Sequence, residues 1–179
     1  MIKQCIFLTF ILAICQTSCG QTKSETDNDK HQLDAYTLDS SVVAILTYDP
    51  TQYWIFKDSK PTTLSTDDLQ KIETILNKCV NDYNPEQQRR FKEMNDKHSQ
   101  YKHNQKNFII DLTRFKRQYV AIINSKGEKE VWINCFCRTG SQDWKKNIIS
   151  VLDGGNCYFN LKVNLTTGQY YELMVNGDA

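Results

Sequence analysis

The sequence predicts an α+β domain: an antiparallel sheet of five or six strands packed by one main amphipathic helix, in a cystatin-like or similar arrangement. Three observations carry that prediction. Residues 66–83 repeat their apolar side chains at helical spacing. Residues 118–137 form two strand-like runs around the turn sequence Asn124-Ser125-Lys126-Gly127. Residues 157–175 form two more around Thr166-Thr167-Gly168.

Before that domain comes a leader. Lys3 is its one charged side chain, and an apolar run over residues 6–14 follows. The run is too short to span a bilayer of about 30 Å as a helix, so it reads as the apolar region of a signal peptide. Thr17-Ser18-Cys19 directly after it resembles a lipobox, the acylation and cleavage site of bacterial lipoproteins. Gln16 departs from the aliphatic residue usual there, a departure that Bacteroidota lipoproteins tolerate. The expectation is a signal peptide over 1–18, a tether over 19–41 from lipidated Cys19, and a single α+β domain over 42–179. Cys5 and Cys15 are then discarded. The tether is polar and without period, as a flexible linker is. The full chain carries 22 basic and 21 acidic residues, and losing Lys3 balances them. That balance argues against a nucleic-acid partner, which demands a basic face.

Along the domain, residues 42–48 and 53–56 read as two strands around Asp49-Pro50. Residues 57–63, with Pro61, read as a loop. Ser65 can cap the helix and Asp68 can complete a capping box, with Leu64 and Leu69 as a hydrophobic staple. Leu69, Ile72, Ile75, Leu76, Cys79, Val80 and Tyr83 form the apolar stripe. Residues 84–107 are densely charged and read as a solvated excursion or surface helix. Residues 108–112 read as the opening of the sheet region, and 142–152 as a short helical crossover.

Strand alternation assigns faces. Val131, Ile133, Cys135 and Cys137 share the helix side with Cys157, Phe159, Leu161, Val163, Tyr171, Leu173 and Val175. Trp132, Asn134, Phe136, Tyr158, Asn160, Lys162, Tyr170 and Glu172 fall on the other side. The aromatics there, Trp132, Phe136, Tyr158 and Tyr170, are the candidate ligand-binding residues, since rings bury much area at low entropic cost. The competing reading is a second core layer, roofed by the early strands, by residues 142–152 or by the excursion over residues 84–107. Cys135 and Cys137 point the same way from one strand and are poorly placed to bridge each other. Cys137 ends its strand and Cys157 begins the next, which favours a Cys137–Cys157 disulfide, and Cys79 can reach Cys135.

No specific catalytic constellation is present: no nucleophile elbow, no zinc-protease helix, no glycine-rich phosphate loop. Cys135, Cys137 and Cys157 with His98 or His103 supply the types for a thiol–imidazole pair or a metal site. Cysteines on a core face are more often buried or bridged, so neither metal nor cofactor is expected.

The stretches Tyr119-Val120-Ala121, residues 128–137 (EKEVWINCFC) and residues 153–160 (DGGNCYFN) resemble an uncharacterised family of Bacteroidota exported proteins. The likeness takes in residues 164–167 and 175–177 and covers about residues 42–177. It implies no activity and no site residues. The expected function is a non-catalytic lipoprotein of the cell envelope, anchored in the outer membrane on its periplasmic or surface face. It would bind an envelope protein or a small ligand through the sheet. The alternative is an envelope hydrolase with a carboxylate and tyrosine site.

Overall fold

In the computed structural model, which describes residues 37–101 and 103–177, Ser65 opens one long helix, α1 (Thr66–Lys97). The Ser65 hydroxyl accepts the Asp68 N–H at 3.2 Å and the Asp68 carboxylate accepts the Ser65 N–H at 2.9 Å. Two orphan donors of the first turn are satisfied reciprocally. Leu69, Ile72, Ile75, Leu76, Cys79 and Val80 are buried against the sheet. The signal-peptide residues 1–18, lipidation residue Cys19 and the tether as far as residue 36 lie outside the described residues.

The helix does not stop near Tyr83. It runs through Pro85 to Lys97, although an internal proline removes a helical hydrogen bond. Tertiary ties support the second half. Asn84 donates to the Ile110 carbonyl and accepts its N–H, both at 2.9 Å. The Phe91 and Phe108 rings meet edge-on at 5.3 Å. Residues 84–97 therefore belong to α1, and residues 105–114 serve as its partner rather than as a strand.

The sheet has six strands: β1 (Val43–Leu46), β2 (Lys60–Pro61), β3 (Lys116–Ile123), β4 (Lys129–Phe136), β5 (Tyr158–Asn164) and β6 (Gln169–Val175). Its order is β1-β3-β4-β5-β6, with β2 on the same edge of β3 as β1. β3 to β6 form the expected antiparallel meander. The sheet as a whole is mixed, because β1 runs parallel to β3. A parallel pair needs a long crossover, and the segment containing α1 supplies it.

Two expected elements are absent for local reasons. Residues 53–56 are a turn, not a strand: Pro50 starts a 3-10 turn capped by Asp49, and β2 takes the edge of β3 beyond β1. Residues 142–152 are irregular rather than helical, held by side chains from the sheet instead of by their own backbone.

One face of the sheet packs on α1 through Val131, Ile133, Cys135, Phe159, Leu161 and Val163, as alternation predicts. The other face is buried too. Tyr48, Ile55 and Phe56 cover Val120, Ile122 and Trp132. Trp144 and Ile149 cover Phe136. The domain thus has a helix layer, a sheet, and a roof of irregular chain.

Candidate functional site

The roof over β4 and β5 is one long loop, residues 137–157, whose ends are placed as a disulfide pair. The Cα atoms of Cys137 and Cys157 are 5.1 Å apart, and the Cys137 N–H donates to the Cys157 carbonyl at 2.9 Å. Long loops without secondary structure are where binding functions concentrate.

Two buried amides fasten this loop to the sheet. Gln118 on β3 and Asn134 on β4 are opposite each other. The Gln118 amide nitrogen donates to the carbonyls of Trp144 at 2.6 Å and Asn147 at 2.7 Å. Its oxygen accepts the Ile149 N–H and the Asn134 amide, both at 3.0 Å. Asn134 donates again to the Ile149 carbonyl at 2.8 Å. At the far end, Asn176 donates to the carbonyls of Val151 and Asp153 at 2.7 and 2.9 Å. The backbone polar groups of a coil laid on a sheet are thereby satisfied, as burial requires.

Between this loop and the turn at residues 53–56 the roof leaves a notch of about 70 Å³, lined by Trp54, Trp132, Asn134, Ile149, Ser150, Val151, Tyr158, Phe159, Asn160 and Asn176. A further space of about 230 Å³ shares Ile149, Ser150, Val151 and Tyr158 with it. The Trp54 ring stands edge-on to Trp132 at 5.4 Å. Trp54 (55 % exposed) stands in the notch lining, and two further exposed apolar side chains adjoin lining residues, Leu152 (99 %) next to Val151 in the chain and Met174 (62 %) on the strand beside Asn160. Met174 pairs across strands with Asn160 of the notch. Gly154 lets the Tyr158 ring come close: its φ is +92°, and a Cβ there would lie 2.8 Å from that ring. No lining side chain is a carboxylate, histidine or thiol.

The four aromatics expected to bind fare differently. Trp132 is 4 % exposed and forms the floor; its indole N–H donates to Asn160 Oδ1 at 3.2 Å. Tyr158 is half-buried on the notch wall. Phe136 has no exposed surface, sealed by Trp144 at 5.9 Å. Tyr170 is on the other side of the sheet, where its hydroxyl donates to Asp82 of α1 at 2.9 Å. The physical reason is a one-residue bulge. Glu172 has φ 50°, and the register moves from Lys162–Tyr171 to Asn160–Met174 around it. An extra residue exchanges the faces of the side chains before it, so Tyr171 takes the second face and donates to Glu130 at 2.8 Å. An open aromatic face is therefore replaced by a roofed one that leaves the notch open. Trp54, Leu152 and Met174, its exposed rim, were not distinguishable by strand alternation, since two of them lie in loops.

Other polar clusters are structural. On the α1 side, Arg117 donates to both Glu73 oxygens at 2.7 Å, and the Tyr119 hydroxyl donates to Glu73 at 2.5 Å. Burial pushes the Tyr119 hydroxyl far up, with the Glu73 carboxylate adding to it. Burial also pushes the Cys79 thiol up to about 11 and the Cys135 thiol higher still. Such thiols remain protonated and poorly nucleophilic. His98 caps the end of α1 and His103 packs edge-on to Phe108. A hollow of about 650 Å³ lies between the solvated side of α1 and the β5–β6 turn. Its walls are ordinary polar surface with no sealed, unpaired polar atom.

No family model matches this chain, and neither a curated protein nor a solved structure is similar to it.

Proposed function

We propose that this is a non-catalytic, lipid-anchored protein of the cell envelope that binds a partner or small ligand through the roofed face of its sheet. The observation that carries the binding reading is the notch beneath a rim of exposed Trp54, Leu152 and Met174. Exposed apolar side chains gathered at one place mark interaction sites. The long loop beside them is fastened at its base and by Gln118, Asn134 and Asn176, so its apolar tip is presented on a fixed support. The uncharged lining supports binding over acid–base chemistry. The hydrogen-bonded carboxylate–tyrosine pairs Glu73–Tyr119, Glu130–Tyr171 and Asp82–Tyr170 line none of the three cavities named above, which favours the binding reading over a hydrolase built on them.

The anchoring rests on the leader and Thr17-Ser18-Cys19, and the outer membrane is the location proposed. Acylation predicts a mature chain beginning at Cys19. Cys19→Ala protein that still partitions into detergent would contradict it. We also infer kinship with cystatin-like folds. One long helix packed on the four-stranded meander supports it, while parallel β1 departs from it. Deuterium exchange tests the binding face. Adding solubilised envelope material should protect residues 53–55 and 149–153 saturably. Protection confined to α1, or none, overturns the reading.

A further inference from the structure

Past Val80 the inner side of α1 turns polar. The stripe from Leu69 to Val80 continues at helical spacing as Tyr83, Gln87 and Arg90. These three line a cavity of about 220 Å³, together with Asn107, Asn156 and Asn176 from other parts of the chain. Gln87 is 8 % exposed, and a buried amide is costly unless it is paired. Its Oε1 accepts Arg90 Nη1 at 3.3 Å. A guanidinium only donates, so this contact fixes the amide's orientation and leaves Gln87 Nε2 as a donor. That nitrogen has no partner among the described residues, and it is not one of their sealed, unpaired atoms. It therefore meets the cavity that Gln87 lines.

Arg90 makes no ion pair among the described residues, because the nearby acids Glu86 and Glu93 both pair with Arg89. No acid lines the cavity, and Arg90 is the one charged side chain that does. Burial pushes the Tyr83 hydroxyl up and the Arg90 charge opposes that shift, so the charge acts on this space. Asn156 spends its amide hydrogens on the carbonyls of Lys106 and Ile109, at 2.9 and 3.0 Å. Asn176 spends its own on Val151 and Asp153. Each has only its oxygen left, so these two side chains bring no competing donor.

An amide's oxygen and nitrogen are about 2.2 Å apart, which places Gln87 Nε2 within about 5.5 Å of Arg90 Nη1. A carboxylate, with hydrogen bonds of about 2.9 Å on each oxygen, spans donors at that separation. The cavity holds about 220 Å³, roughly seven waters' share at about 30 Å³ each. An acid as small as lactate fits. One guanidinium matches one negative charge, which suits a carboxylate better than a phosphate dianion.

We propose that this cavity binds the carboxylate of a small organic acid, held by Arg90 and Gln87. The site goes beyond the rim reading and does not depend on it.

The test titrates the mature protein with lactate, reading the Gln87 side-chain amide and the Arg90 Nε–H by nuclear magnetic resonance. Saturable shifts are expected at both, with uncharged lactamide weaker by about tenfold or more. Arg90 is exposed, so Arg90→Met should weaken lactate by a similar factor and leave unfolding unchanged. Gln87→Met, of similar length, should weaken it too. No saturable shift, equal binding of lactamide, or an unaffected Arg90→Met variant overturns the proposal. Equal shifts at Arg114, exposed elsewhere on the chain, mean surface pairing and also overturn it. Inorganic phosphate binding more tightly than lactate overturns the carboxylate assignment. Gly177 lines the cavity and Asp178 follows it in sequence. Lactate binding that appears only in an Asp178→Asn variant assigns the cavity to the chain's own acid and overturns the proposal.

Discussion

Replacing Gln118 by methionine removes the central fastening of the loop while keeping side-chain length. Gln118 is fully buried, and its amide serves the carbonyls of Trp144 and Asn147, the N–H of Ile149 and the amide of Asn134. A net hydrogen bond is worth about 1 kcal/mol, and a buried group left unpaired costs about 1–3 kcal/mol. Four partners lose Gln118. Asn134 keeps its bond to the Ile149 carbonyl, and the loop can lift to hydrate the others. The expected loss is therefore about 3 kcal/mol, nearer the lower end of the sum. Urea unfolding followed by circular dichroism measures the loss. Amide exchange over residues 143–150 shows where it falls, and should accelerate there before the β3–β4 ladder responds. A change under about 0.5 kcal/mol with unaltered exchange would refute the view that these amides hold the loop down.

Three further outcomes follow from the same geometry. Converting Cys137 and Cys157 to alanine, across a sequence separation of 20, should cost about 3 kcal/mol by loop entropy. In the mature acylated protein, denatured thiol titration should find two thiols, Cys79 and Cys135; four would remove the disulfide. Trp132→Ala should cost about 3–5 kcal/mol as a buried indole, and Trp54→Ala under about 0.5 kcal/mol, by the same denaturation assay; equal losses would contradict the roofed face. The last concerns acid. Burial raises the Asp68 carboxyl, but the Lys129 ammonium at 2.7 Å and the Ser65 N–H and hydroxyl outweigh it, leaving it below the ordinary 3.8. A lowered carboxyl stabilises the fold above that ordinary value, and the contribution is lost as pH falls through the folded one. Lys129→Met should make the stability curve shallower below pH 3.8 and leave the slope near neutrality unchanged.

What the sequence made legible was local and periodic. The capping box at Ser65 and Asp68, the stripe from Leu69 to Val80, and the alternation of β4 and β5 are short-range patterns, and the structure realises each. Cys137 and Cys157 faced each other once their strands were taken as neighbours. The bulge at Glu172 escaped because nothing local demands a positive φ at a glutamate; it moved Tyr170 to the helix side. The second half of α1 escaped because its support, Ile110 and Phe108, comes from distant chain. The roof was legible as the competing reading, a second core layer covered in part by residues 142–152, and the structure realises it; the irregular path of those residues was not. Residues 142–152 have no period of their own, and the side chains that position them belong to β3 and β4. A site made of loop tips over a sheet is thus visible in sequence only as scattered Trp54, Leu152 and Met174 in a chain whose periodic parts are elsewhere.

The central claim is that the partner is met at the loop rim over the notch. A photo-crosslinking amino acid placed at Leu152, in the protein expressed in its own envelope, tests it most directly. Leu152 is almost wholly exposed and Lys92 lies on the outer side of α1, also exposed. Crosslinked product from position 152, reduced by Trp54→Ala and absent from position 92, is the expected result. Product from position 92 alone, with position 152 silent in a folded protein, would contradict the account.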